Sequence, residues 1–260
     1  MNHRLMLASL LYLLYIHGSW AATLAVVTEE YAPYNYTQQD EIKGLASQIV
    51  EASLQRAGFD YHIKVLPWSR AYHLAKSNPN TLIYSISRTH QREPYFHWIG
   101  PIASIQSHFF SLKSRQDIAP FNQLKDARQY QVGSIRDDYI EQFLLLHGFT
   151  KLQRNNNHEA NLDKLLRGRI DLWPVSTETA SYYLGLRGLS LEQELKRVHT
   201  ISEFSGTELY MAMGLDTPIA TVEQLRQALN EIKQDGTYDK LIKQYFSQQE
   251  RQQNINKTNN

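Results

Sequence analysis

Along the chain, unbroken β-branched runs alternate with apolar positions spaced three to four apart, and each switch marks a new element. The β-branched run at residues 23–28 predicts a strand. A polar stretch with Pro33, Asn35 and Gln38-Gln39-Asp40 reads as a loop. Gly44 then precedes Leu45, Ile49, Ala52, Leu54 and Ala57 at helical spacing, with Gly58 as the stop. Residues 61–66 predict a second strand, Pro67 opens a helix to about Ala75, and Asn78-Pro79-Asn80 turns the chain into a third strand at 81–86. This β-α-β-α-β order implies a parallel sheet flanked by helices.

The pattern restarts after Gly100-Pro101. Strands are expected at 107–112, 131–135 and 170–175, and helices at 121–127, 139–147, 162–167 and 177–184. A late strand at 208–214, an amphipathic helix at 222–233 and a short helix from Tyr238 complete the series. Two α/β units in succession predict two lobes, hence an α/β fold divided by a crevice.

The ends of the chain change the picture. Arg4, an apolar run from Leu5 to Ile16 and a small-x-small site at Ser19-Trp20-Ala21 predict a signal peptide over residues 1–21. The run is too short to cross a hydrocarbon core, which needs roughly 20 residues. Residues 249–260 are Gln/Asn-rich and predict a disordered tail. With no cysteine, the exported chain relies on its core alone and lacks the residue a lipid anchor uses, so a periplasmic location is expected.

Formal charge is +1, from 27 basic and 26 acidic residues, and the leader takes Arg4 with it. A near-neutral surface argues against nucleic acid as a partner. Neither a phosphate loop, nor a nucleophile elbow, nor a His-x-x-x-His pair is present, so no cofactor and no metal are expected. The 16 tyrosines and 4 tryptophans provide flat walls with polar tips for a wet pocket.

Candidate binding chemistry gathers where strands end, because open α/β sheets bind ligands beyond their carboxyl ends. The first strand runs into Glu29-Glu30-Tyr31, the second into Trp68-Ser69-Arg70, and the third into Ser85-Ile86-Ser87-Arg88-Thr89-His90-Gln91-Arg92. Hydroxyls and arginines at that density supply several donors for one anion, and the arginine fork matches a carboxylate. Tyr31 and Trp68 are candidate walls, with Arg70 beside them.

Tyr-Ala-Pro at 31–33, Gly44 before its helix, the Ser/Thr segment ending at Arg92 and Gly100-Pro101 together resemble a known family. So do Val132-Gly133, Gly168-Arg169-Ile170-Asp171 and the stretch from Gly236 to Leu241. In this order they resemble the periplasmic substrate-binding proteins of the polar amino-acid uptake type, family 3 of the bacterial extracellular solute-binding proteins. The resemblance implies a two-lobed (type II) fold whose lobes are mixed, mainly parallel sheets. Lobe one would take residues 22–105 and 209–248 and lobe two 106–208, with hinge strands near 102–108 and 206–210.

The resemblance further implies that Arg92 grips a ligand carboxylate, aided by Ser85, Ser87 and Thr89, with Tyr31 and Trp68 as walls. From lobe two, Asp137 and Asp138 fall where the family has Gly-Thr. The aspartate that holds a ligand ammonium falls at Ser176, and a second acid falls at Thr28. Glu178, Asp137 or Asp138 is then needed as its replacement, because an unpaired buried ammonium is costly.

The expectation is therefore a monomeric solute-binding protein that passes a small polar solute to an inner-membrane ABC permease. Two alternatives remain. One is a partner sensor domain in place of the permease; the other is an enzyme like the cyclohexadienyl dehydratases, with Glu178 or Asp138 as general acid.

Overall fold

The computed structural model describes residues 23–202, 207–245 and 247 of the 260-residue chain. The expected leader, the expected tail and Gly206 of the second crossing segment lie outside the described residues.

The first α/β unit builds as its pattern predicts. Strand β1 (Leu24–Thr28) is followed by a short antiparallel hairpin, β2 (Tyr36–Gln38) and β3 (Glu41–Lys43). Helix α1 (Leu45–Ala57) stops at Gly58, whose φ of 73° is a left-handed conformation that glycine adopts without strain. Strand β4 (Tyr61–Val65), helix α2 (Trp68–Ser77) behind Pro67, and strand β5 (Thr81–Ser87) follow. β1 pairs in parallel with both β4 and β5. Every residue of β5 is buried, which suits a central strand.

The rest of this sheet arrives from elsewhere in the chain. Strand β6 (Phe96–Ile105) lies at the sheet edge, and β12 (Thr207–Gly214) fills the place between β5 and β6. β12 is antiparallel to both neighbours, so the sheet β4-β1-β5-β12-β6 is mixed.

A second set of strands forms from the middle of the chain. β7 (Ser107–Leu112) is the centre of an antiparallel trio with β10 (Trp173–Ser176) and β11 (Leu195–Thr200). β8 (Val132–Ile135) pairs in parallel with β9 (Leu152–Asn155), and a bridge from Val132 to Leu172 links it to the approach of β10. The helices here are α3 (Tyr139–Leu146), α4 (His158–Leu166), α5 (Thr177–Gly185) and the single turn α6 (Leu191–Glu194). Helix α7 (Ile219–Gln234) and α8, residues 237–245, return to the first sheet, where Leu225 and Leu229 join its core.

Differences from the pattern reading are local. The stretch read as a loop holds the β2–β3 hairpin. Helix α4 starts at His158 rather than 162, because the Asn157 side chain caps it by accepting from the Ala160 N–H at 2.9 Å. Residues 124–129 form a 3-10 turn where a helix over 121–127 was expected. Strand β10 starts at Trp173 instead of Ile170.

Apolar packing crosses between the halves. Ala32 packs with Leu162 and Trp173 of the second half, and Ile135 packs in the cluster of Val27 and Trp68. No described helix is long and apolar enough to cross a membrane.

Candidate functional site

β1 and β5 run parallel, so Thr28 and Ser87 end on the same edge of the first sheet. Facing that edge are the turn after β8, the first residue of α4 and the strand β10. A pocket opens between them, lined by Glu29, Tyr31, Trp68, Ser85, Ser87 and Arg92 from one side. Asp138, Tyr139, Ile140, His158 and Val175 line it from the other.

Arg92 is its central cation. The side chain is 1% exposed, beneath the Trp68 and Tyr72 rings, whose centroids lie 4.8 and 5.3 Å from the guanidinium carbon. Nη1 donates to the Ser87 carbonyl at 3.2 Å, and Nη2 to the Asp137 carbonyl at 3.5 Å. Burial lowers its pKa, opposed by Asp138, Tyr72 and Glu29; an arginine stays charged regardless. Among the described residues, Arg92 Nε, Ser87 Oγ and Thr89 Oγ1 are buried without a hydrogen-bond partner. Buried polar atoms are rarely left so, and those of Arg92 and Ser87, both in the pocket lining, mark a place for an acceptor.

Two carboxyl groups face this cation. Burial, together with the repulsion of Asp138, raises the Glu29 carboxyl well above the ordinary range despite the pull of Arg92. Burial, with some repulsion from Glu141, also raises Asp138, to about 6, against the pull of Arg92, and its carboxylate caps α3 by accepting from the Tyr139 N–H at 2.5 Å.

Asn35, fully buried, organises the first side. Its amide nitrogen donates to Thr28 Oγ1 at 2.9 Å and to the Glu29 carbonyl at 2.7 Å, and its oxygen accepts from Ser85 Oγ at 2.5 Å. Ser85 therefore lines the pocket with its hydroxyl already engaged. Thr28, where the family pattern puts an acid, is a strut of this network, and the pocket acid is its neighbour Glu29.

Several sequence candidates fall elsewhere. Arg70 is exposed on α2 and does not line the pocket, because it lies two residues on from the buried Trp68, on another face of the helix. Glu178 is exposed in the first turn of α5. The Ser176 hydroxyl is spent as the cap of α5, accepting from the Thr179 N–H at 3.1 Å. The Asp137 side chain is exposed and paired with Arg154 at 3.2 Å; the group it turns inward is its carbonyl. Thr89 is half-buried, with its hydroxyl covered, and lies outside the lining. Arg92, Ser85, Ser87, Tyr31, Trp68 and Asp138 are the candidates the fold brings together.

Contacts across the pocket hold the halves together. The Trp68 indole N–H donates to the Asp137 carbonyl at 2.8 Å, and outside the lining Tyr36 of the first half meets Tyr182 of the second with ring centroids 5.1 Å apart. Sequence reasoning missed Glu29, His158, Tyr139, Ile140 and Val175. His158 had one available signal: it follows Asn157, a strong helix-capping residue, which marks it as the first residue of a helix. Among the described residues, no group of three or more His, Cys, Asp or Glu side chains is arranged to hold a metal ion.

The solved structures this fold resembles include a histidine kinase sensor domain with similarity to periplasmic binding proteins. Its TM-score is 0.75 at 19% identity, covering 86% of this chain and 96% of that one. An ancestral arginine-binding protein bound to arginine matches with a TM-score of 0.74 at 21% identity, covering 86% and 98%. ArtJ from Geobacillus stearothermophilus, an arginine-, lysine- and histidine-binding protein, matches at 0.73 and 17% identity, covering 86% and 95%. In sequence, the chain is 21% identical over 239 residues to membrane-bound lytic murein transglycosylase F of Desulfosudis oleivorans. That match covers 86% of this chain and 48% of the relative, so the chain spans about half the length of the curated protein it matches. The family model for bacterial extracellular solute-binding proteins, family 3, matches residues 24–248. Because that match spans nearly all of the described chain, the protein belongs to the bacterial extracellular solute-binding proteins, family 3.

Proposed function

We propose that this protein captures a small, polar, carboxylate-bearing solute of amino-acid type between its two lobes, in the periplasm, for delivery to an inner-membrane ABC permease. The carrying observation is the buried Arg92 guanidinium with its Nε, the Ser87 hydroxyl and the Thr89 hydroxyl all without partners. A carboxylate entering there accepts from the Arg92 Nε and the Ser87 hydroxyl, both residues of the pocket lining, while its own charge offsets that of Arg92.

The amine half of such a solute faces Glu29 and Asp138, both pocket-lining acids. An ammonium group arriving between them favours their ionised forms and lowers both pKa values. Solute docks first on the lobe that carries Arg92, Tyr31 and Trp68. Closure then adds Asp138 and His158, and excluding water strengthens each polar contact. The solute thereby shifts an open–closed equilibrium, and no bond is made or broken.

The test is a thermal-shift panel of amino acids, small carboxylates and amines on the purified mature chain. A binder at 1,000 times its dissociation constant adds about 4 kcal/mol of stability, roughly 10 °C here. Arg92→Ala should abolish the shift, with Ser87→Ala as the milder variant. A full shift retained in both, or shifts from uncharged solutes alone, overturns the carboxylate clamp.

One observation favours a second reading. Carboxyl groups with raised pKa values beside a buried cation are what a general acid requires, and a cyclohexadienyl dehydratase-like enzyme would use Asp138 or Glu29 that way. Incubation with prephenate decides it: phenylpyruvate absorbance appearing with the protein, and lost in Asp138→Asn, establishes the enzyme.

A further inference from the structure

We propose that Glu141, outside the pocket, is a positioning residue that holds the two lobes closed through the main-chain carbonyl of Asp137. The proposal rests on the capture reading for its purpose but not for its test.

Asp137 has φ of 60°, in the left-handed region that residues other than glycine occupy only when their surroundings impose it. In that conformation its carbonyl points across the cleft, where it accepts from Trp68 Nε1 at 2.8 Å and from Arg92 Nη2 at 3.5 Å. Both donors belong to the opposite side of the pocket. One peptide oxygen of the second lobe therefore touches the central cation and the aromatic wall of the first.

What imposes the turn is one carboxylate. Glu141 is 1% exposed and accepts from the Asp137 N–H at 2.8 Å and from Ser134 Oγ at 3.0 Å, so it ties both ends of the turn to the first part of α3. Arg154 on β9 completes it, donating Nε to Oε1 at 2.8 Å and Nη2 to Oε2 at 2.7 Å, and reaching Asp137 Oδ1 at 3.2 Å. Burial opposes the charge on Glu141, but Arg154, the Asp137 N–H and the Ser134 hydroxyl overcome it, so its carboxyl stays below the usual range. None of Glu141, Arg154 and Ser134 lines the pocket. Their influence on it passes through the carbonyl they aim.

The consequence concerns which contacts close the lobes. The Trp68 and Arg92 bonds to Asp137 join protein to protein, so closure does not depend wholly on the guest. They engage one edge of Arg92 and leave its Nε for a ligand.

The chain contains no cysteine, so Lys64→Cys on the first lobe and Lys125→Cys on the second accept a spin-label pair cleanly. Pulsed EPR then reports the interlobe distance with no solute added. The wild-type pair should show a predominantly closed distance. Glu141→Gln and Trp68→Phe should each lower the closed-to-open ratio by about tenfold, the effect expected for a lost hydrogen bond to a desolvated group. Arg154→Lys, which keeps the charge, should restore part of what Arg154→Ala loses. A lower melting temperature in Glu141→Gln with an unchanged distance distribution makes the residue merely structural and overturns the proposal. A wild-type pair that is mainly open also overturns it. Because no solute enters the measurement, failure here leaves the capture reading to its own thermal-shift test.

Discussion

The imidazole of His158 lies stacked on the phenol ring of Tyr31 across the pocket, with centroids 5.2 Å apart and planes 21° from parallel. His158 sits in an aromatic box completed by Trp173 and Tyr183, and its Nδ1 is buried without a hydrogen-bond partner. Burial holds its pKa down at about 3, against an ordinary value of 6.5.

The first prediction follows from that depression. A histidine kept neutral by the fold contributes stability that is complete above pH 6.5 and is lost as pH falls toward 3. At about 1.4 kcal/mol per pH unit, the loss is on the order of 3–5 kcal/mol. His158→Phe keeps the ring stack and removes the proton. Urea unfolding of both proteins at pH 7, 5.5 and 4.5 should show the variant gaining on wild type at each step down. Parallel curves exclude a buried neutral histidine.

Glu29 predicts the opposite slope. Its carboxyl is raised by burial, so the fold favours the protonated form; that contribution is present at low pH and lost as pH rises through the raised value. Glu29→Gln imitates the protonated side chain. It should be more stable relative to wild type at pH 8 than at pH 5. An equal difference at both values would contradict the assignment.

A third prediction concerns Gly44, at the start of α1. Its φ is 111°, and a Cβ there would lie 2.2 Å from the Tyr34 carbonyl oxygen. That carbonyl accepts from the Ala46 N–H at 2.9 Å, next to the Asn35 network. Gly44→Ala should cost at least about 3 kcal/mol in unfolding free energy, through both strain and displacement of the 31–35 turn. A cost below 1 kcal/mol, as for an ordinary helix-start substitution, would refute the close approach.

The fourth prediction separates pocket from surface. Arg70 and Glu178 are exposed and do not line the pocket. Arg70→Ala and Glu178→Gln should each keep stability within about 0.5 kcal/mol and leave any solute-induced thermal shift intact. Loss of that shift in either would return the residue to the site.

The elements legible in the sequence were those whose pattern is set by burial on one or both faces: β1, β5, α1 and α7. β2, β3 and β11 were missed because little of each is buried. β2 and β3 form a two-stranded hairpin of polar residues, and β11 carries Lys196, Arg197 and His199 along an outer position beside β7. β6 was obscured by Gly100 and Pro101, which an edge strand tolerates because one side needs no ladder. The site was legible as far as its lobe-one half, since Tyr31, Trp68, Ser87 and Arg92 follow consecutive strands. On the other side, which group of a residue faces inward is a matter of backbone turn. Asp137 offers its carbonyl and Asp138 its carboxylate, and spacing does not separate adjacent residues of the same type.

Strands β5 and β6 are neighbours in the chain but not in the sheet, because β12 lies between them. A growing polypeptide that has produced only β6 has no partner to give it; the slot stays open until residue 214 exists. The N-terminal lobe is thus the first begun and the last finished, waiting on a ladder of very long sequence separation. An incomplete chain therefore carries β6 without its ladder, and an unpaired strand edge is where such a chain associates wrongly.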